Sequence, residues 1–339
     1  VNITSRSAAV LVAALAAAGC QKKTAIEQLT AEEPVPAADP VKLEATVAKP
    51  TVALGDDIVF HLKLTNAGKS RVQVNVPRID QRSVTIRVRR ADGAITMISR
   101  NYAEIDLRTG RFKYGAADAK NLDPGESLEQ DVSTVAVEAG KLAFTPSYVR
   151  VGAPGAIAAP TVDVTVTPVD PAKPRLGVTL DTTLGSYTAA FRPDVSYNTV
   201  ESFASLVKRG FYTGLKFHRI IPDFMAQGGD PKGDGTGGPG YFLPLDDHPD
   251  KLPHRRGVLS MARNGPPVSA DSAGSQFFIL FATKPDLDRG HYTTFGEMTD
   301  GEQTLTALAS VPRVLGGDGE QSKPKDDVLI KTAKLVQLP

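Results

Sequence analysis

Residues 217 to 230 read FHRIIPDFMAQGGD, with Arg219 and Gln227 set among Phe217, Ile220, Ile221, Phe224 and Met225. Read as a strand, KFHRII places Phe217, Arg219 and Ile221 on one face and Lys216, His218 and Ile220 on the other. Met225 and Gln227 share a face after the Pro222-Asp223 interruption. An arginine keeps its proton near neutral pH, so it is no general acid or base. It is a fixed positive charge carrying a planar fork of donors. Beside a hydrophobic pocket such a fork can polarise a carbonyl or an amide. The alternative is an arginine neutralised by a core carboxylate, because an unpaired buried charge is expensive.

Other polar clusters point to less. GDGTGGPG (233–240) lacks a following Lys-Ser/Thr and a strand–helix frame, so it reads as a loop and not as a phosphate cradle. DDHPDKLPH (246–254) offers Asp246, Asp247, His248 and His254, but its spacing imposes no coordination geometry and no metal site is assigned. His61 lies in a strand and reads as a surface or satisfied histidine. GGDGEQSKPKDD (316–327) reads as a solvated loop before a last strand, VLIKTAKLVQL.

The elements that hold the 217–230 stretch are legible on both sides of it. GVTLDTTLGSYTAAF (177–191) gives two strands around Leu184-Gly185. YNTVESFASLVKRGFY (197–212) predicts a helix: Asn198 and Glu201 fit a capping box, Val200, Phe203, Ala204 and Val207 form an apolar stripe, and Gly210 suits the stop. A second helix near Asp300 carries Leu305, Leu308 and Ala309 inward and ends before Pro312. Upstream, LEATVA, DIVFHLKLTN, VQVNV, VTIRVRR, LEQDVSTV and TVDVTVTP alternate with period two. Turn residues such as Asp92-Gly93 and Asp123-Pro124-Gly125 separate them. The pattern predicts an immunoglobulin-like β-sandwich over 41–168, without the Cys or Trp of a true immunoglobulin domain. The Pro-rich residues 169–175 then link it to a second domain, 176–339.

FHRIIPDFMAQGGD, with GTGGPGY (235–241), GVLSMAR (257–263), GSQFFI (274–279) and HYTTFGEM (291–298), resembles the cyclophilin family of peptidyl-prolyl isomerases. The motifs stand in the family's order and cover the second domain. The resemblance implies a closed eight-stranded antiparallel barrel capped by two helices, mainly β. It implies rotation about X-Pro peptide bonds in proline-containing polypeptides, with no cofactor and no metal. Matched motif by motif, Arg219 takes the place of the catalytic arginine and Gln227 of a contact to substrate backbone. Phe224, Met225 and Phe278 match the proline pocket, and Gln276 and Leu287 belong to the groove. Arg263 and Asn264 follow Ala262 where the family usually reads Asn then Ala. The contact at the first of these positions is made by backbone, so Arg263 can keep it. The family's groove tryptophan falls near Asp286 and its groove histidine at Tyr292, which weakens expected cyclosporin binding more than activity. By the same comparison, His218 and His291 are not catalytic. The alternative function is a low-turnover module that grips Pro-containing segments, with the sandwich as its recognition surface.

The chain has 339 residues, enough for two domains, and a net charge of +1 gives no ground for nucleic-acid or membrane-surface binding by charge. Its first residues differ in kind. An apolar run from Ala8 to Ala18 suits the core of a secretory signal, and AAAGC ending at Cys20, the sole cysteine, resembles a bacterial lipobox. The expectation is a signal over 1–20, lipidation of Cys20, a flexible tether over 21–40, and anchoring at an outer membrane facing the periplasm.

Overall fold

The computed structural model describes residues 39–81, 83–101, 104–106, 111–113, 119–150, 155–246, 250–264 and 271–339. Cys20, the expected signal over 1–20 and nearly all of the expected tether over 21–40 lie outside the described residues.

In the first region the strands are β1 (Val41–Val47), β2 (Thr51–Ala53), β3 (Asp57–Asn66), β4 (Val72–Asn75), β5 (Val84–Arg89), β6 (Ile95–Ile98), β7 (Glu104–Asp106), β8 (Arg111–Lys113), β9 (Ala119–Leu122), β10 (Ser127–Val135), β11 (Gly140–Val149), β12 (Ala156–Ala158) and β13 (Val162–Thr167). One sheet runs β1-β3-β10 and a second runs β2-β13-β11-β5-β6, with β12 added to β11. Alternation decides which side of each strand is dry. In β3, Ile58, Phe60, Leu62 and Leu64 are buried while the residues between them face outward. The two dry faces meet where the Phe60 ring lies 5.4 Å from that of Phe144 on β11. Pro146 sits inside β11, where its missing N–H is harmless. Its carbonyl accepts from Ala159, so its nitrogen points to the same side, into the gap where pairing passes from β13 to β12.

The second region adds β14 (Arg175–Thr182), β15 (Gly185–Phe191), helix α1 (Pro193–Lys208), β16 (Arg219–Ile221), β17 (Met225–Gly228), β18 (Val258–Met261), β19 (Phe277–Leu280), short helix α2 (Pro285–Arg289), β20 (Thr294–Asp300), helix α3 (Glu302–Ala309), the hairpin β21 (Arg313–Val314) and β22 (Lys323–Pro324), and β23 (Ile330–Leu338). Eight of these strands form one antiparallel sheet in the order β16-β17-β19-β18-β20-β15-β14-β23. The expected closed barrel is corrected here. The edges β16 and β23 share no ladder and approach only through the isolated bridge Lys216–Leu329 and flanking bonds such as Phe217 N–H to Val328 O, 2.9 Å.

The concave face holds an aromatic core in which Phe203 of α1 stacks on Tyr212 at 4.6 Å and meets Phe277 edge-on at 5.3 Å. Leu305 and Leu308 of α3 are fully buried, as its apolar spacing predicts. α1 ends as Gly210 suggests. Gly210, at φ 72°, donates to Val207 and Phe211 donates to Leu206, the paired bonds of a Schellman stop.

The start of α1 differs from the capping-box reading. The helix begins at Pro193, breaks its helical geometry at Ser196, and uses neither Asn198 nor Glu201 as a cap. Both side chains are engaged by the first region. Asn198 Oδ1 accepts from Ser99 N–H at 3.1 Å and from Arg100 Nη1 at 2.8 Å, and Asn198 Nδ2 donates to Ser99 O. Glu201 Oε1 accepts from Thr134 Oγ1 and Val135 N–H, and its other oxygen pairs with Arg100 Nη2. Arg100 and Glu201 are 4% and 2% exposed, so this is a buried ionic seam. Burial is the largest influence and opposes the charge on Arg100, but the Glu201 carboxylate and Tyr241 together hold the guanidinium above its ordinary pKa. The strand bridge Asn101–Phe242 and the Lys208–Asp57 pair extend the same contact.

Candidate functional site

A second apolar cluster lies apart from the core of the sheet. It consists of Val195, Met225, Leu252, Val258, Phe278 and Leu280, with Ile221, Phe224, Ala262, Leu287 and Tyr292 packed against it. Six of the expected site residues (Phe224, Met225, Ala262, Phe278, Leu287 and Tyr292) therefore gather in one place, from five separate stretches of sequence. Alternation is the reason they leave the core. In β17, Ala226 belongs to the main core while Met225 turns to the other side of the sheet. Phe278 anchors the cluster, with the Phe224 ring 6.3 Å away and Tyr292 edge-on at 6.1 Å. The turn before Phe224 needs a left-handed residue, and Asp223 supplies it at φ 54°.

Arg219 opens β16, directly opposite Gln227 on β17. Ile220 between its neighbours is fully buried, while Arg219 and Ile221 are half-buried on the outer side. Phe217 does not share that side. It is 1% exposed and meets Phe277 of the core at 6.1 Å, because residues 217 and 218 precede the ladder and the alternation begins only at Arg219. His218 is partly buried; burial pushes its pKa down, and its Nδ1 has no hydrogen-bond partner among the described residues. His291 is exposed at φ 54° in the turn before Tyr292.

The Arg219 side chain is 29% exposed. Its Nε donates to Asp318 Oδ2 at 2.7 Å, and Nη2 lies 3.5 Å from Glu320 Oε2. Nη1 has no protein partner among the described residues. The carboxylates come from the tip of the β21–β22 hairpin and not from the core, so the reading of residues 316–327 as merely solvated is corrected. Hydrogen bonding from Arg219 holds the Asp318 carboxyl down at about 2.

Gln227 does not reach back to Arg219. Its Nε2 donates to Gln276 Oε1 at 3.0 Å, and Gln276 Nε2 in turn donates to the carbonyls of Gly235 and Gly237. The glycine loop is thereby fastened to the site, and Asp230 holds it from within by accepting from the N–H groups of Lys232, Asp234 and Gly235. Arg263 lays its guanidinium 4.5 Å from the Tyr292 ring centre and donates to Gly290 O at 2.6 Å. The side chain is thus folded down over Tyr292.

Sequence reasoning missed the support behind Phe278. His254, fully buried, joins Asp288 Oδ1 through Nδ1 at 2.5 Å and Ser260 Oγ through Nε2 at 2.9 Å, and its ring lies nearly parallel to Phe278 at 6.4 Å. Asp246 instead accepts from the N–H groups of Asn198 and Thr199, so it and His254 serve separate ends of the region. No cluster of metal-ligating side chains occurs among the described residues. Asp286, near which the resemblance puts the family's groove tryptophan, is 88% exposed and paired with Arg289.

The arrangement is an apolar cluster on the outer side of the sheet, with Arg219 and Gln227 facing each other across the β16–β17 ladder and Gln276 hydrogen-bonded to Gln227. Residues 177–335 match the family described as cyclophilin type peptidyl-prolyl cis-trans isomerase. The chain is 44% identical over 138 residues to a peptidyl-prolyl cis-trans isomerase of Synechococcus elongatus, covering 90% of that protein and 40% of this chain. It is 46% identical over 109 residues to peptidyl-prolyl cis-trans isomerase B of Bacillus subtilis, covering 73% of that protein and 32% of this chain. It is 40% identical over 172 residues to a peptidyl-prolyl cis-trans isomerase-like 2 of Cryptococcus neoformans, 49% of this chain, and spans only 28% of the length of that relative.

Proposed function

The chain belongs to the cyclophilin-type peptidyl-prolyl cis-trans isomerase family, and from that premise we propose that it catalyses rotation about X-Pro bonds at the recess beside Arg219. The uncatalysed barrier is about 18–20 kcal/mol, and exchange takes tens to hundreds of seconds. No bond is made or broken, so the work is differential binding of the twisted amide. In that state the proline nitrogen regains a lone pair, and an N–H of Arg219 donates to it. Phe224, Met225 and Phe278 take the proline ring. Gln227, with the backbone at Arg263, holds the flanking peptide while Ala262 and Leu287 complete the wall. The observation that carries this reading is the Nη1 edge of Arg219, which has no hydrogen-bond partner among the described residues and lies on the same side of β16 as Ile221, itself packed on the separate apolar cluster.

The same proposal places the first region as an immunoglobulin-like sandwich. Its opening strands divide between the two sheets, and β2 pairs parallel with the last strand, β13. The buried Arg100–Glu201 seam favours a fixed support over a mobile recognition arm. Lipidation at Cys20 and service to envelope proteins rest on the sequence and are carried as part of the proposal. Weak cyclosporin binding goes with them, because Asp286 and Arg289 place charge where the family's tryptophan would give an apolar wall.

The test is isomerisation of a short Ala-Pro peptide by the full chain and by its Arg219→Ala variant. Turnover that collapses in a folded variant supports the reading; a folded wild-type chain without turnover makes the recess a binding site for Pro-containing segments.

A further inference from the structure

An arginine that acts as a directed donor needs its fork fixed, because a free side chain of this length explores many rotamers. The obvious holder, Gln227 across the ladder, is spent on Gln276. The remaining contacts come from a segment 99 residues away in sequence, the tip between β21 and β22.

That tip is built to hold one carboxylate still. Asp318 accepts from Ser322 Oγ at 2.7 and 2.8 Å through its two oxygens, and Oδ1 accepts from Glu320 N–H at 3.1 Å. Ser322 is 2% exposed, and its carbonyl accepts from Ile220 N–H at 2.7 Å, so the tip is tied to the residue next to Arg219. Gly316 lets the tip close, since a Cβ there would stand 2.5 Å from Ser322 Oγ and 2.7 Å from Asp318 Oδ1. The Asp318 carboxyl also titrates at about 2, so it stays ionised through the physiological range.

We propose that Asp318 is the positioning residue for Arg219: it fixes the Nε edge and leaves the Nη1 edge for the substrate amide. This rests on the isomerase reading above. Asp318 touches no reacting atom and acts only through Arg219, so its effect falls on the chemical step and not on peptide capture.

The experiment is a double-mutant cycle in the full chain, measuring kcat and KM on an Ala-Pro peptide for wild type, Asp318→Asn, Arg219→Ala and the pair. Asp318→Asn lowers kcat about tenfold with KM within about twofold, and the same change made on Arg219→Ala lowers nothing further. An equal loss in both backgrounds overturns the proposal, as does wild-type kcat in Asp318→Asn. Ser322→Ala, which loosens Asp318 while keeping its charge, serves if Asp318→Asn does not fold. It lowers kcat about threefold only when Arg219 is present, and equal losses in both backgrounds again overturn the proposal. Failure of the isomerase reading shows separately, as a folded wild-type chain without turnover, whereas an Arg219→Ala variant that turns over like wild type overturns the proposal itself.

Discussion

Two arginines stand among apolar residues here, and they differ in what is left over. Arg100 is buried in the seam between the regions, where Glu201, Asn198 and the Ser99 carbonyl take up both terminal nitrogens. Arg219 is 29% exposed at the recess, held along one edge by Asp318, with its Nη1 edge unfilled among the described residues. The first satisfies the cost of burying charge and contributes structure. The second keeps donors in reserve, and on the proposed isomerase reading those are the donors a transition state would use. Burial of an arginine is therefore a poor guide to function. The inventory of its donors separates the two roles.

The comparison breaks most visibly at the seam. Glu201→Ala leaves Arg100 charged and buried and should cost about 3–5 kcal/mol of stability, read from urea unfolding, while the rate of the still-folded fraction on a Pro peptide holds. At the recess the balance inverts. Arg219→Ala should lower kcat/KM about a hundredfold to a thousandfold, with an unfolding midpoint close to wild type. A large loss of stability there, or an intact rate, would merge the two arginines into one class.

A finer test follows Asp318. Its folded value of about 2 lies below its ordinary 3.8, so its contribution to stability is complete above the ordinary value and is lost as pH falls through about 2. NMR titration of the Asp318 carboxyl should give a midpoint near 2 in the wild-type chain. In Arg219→Ala the midpoint should rise toward the ordinary value, because the hydrogen bond from Arg219 is the first cause of the depression. An unchanged midpoint would assign the depression to Ser322 and the Glu320 amide instead. The smallest effect belongs to the half-exposed Lys208–Asp57 pair at the rim of the seam: Lys208→Ala should cost no more than about 1 kcal/mol in the same unfolding assay.

What sequence alone could show depends on how local the cause is. The alternation in DIVFHLKLTN became β3 over the same residues, and Gly210 ends α1 through bonds within a few positions. The KLAFTPSYV stretch is absent from the expected strands, yet it forms β11: a proline inside a strand is tolerated there because pairing passes from β13 to β12 at Pro146. Asn198 and Glu201 have the spacing of a cap, yet their partners are Arg100 and Thr134, on a surface that no pattern near residue 198 announces. The apolar cluster was legible because its residues stand in long family motifs. Asp318 was not, since GGDGEQS has the composition of any solvated turn until folding carries it to Arg219.

The central claim is that Arg219 works as a directed donor and not as a positive charge. Arg219→Lys keeps the charge but loses the planar fork that Asp318 orients. Its rate on an Ala-Pro peptide, measured in the full chain, is predicted to fall to within about tenfold of the Arg219→Ala rate. A lysine variant that retains the wild-type rate would contradict the account.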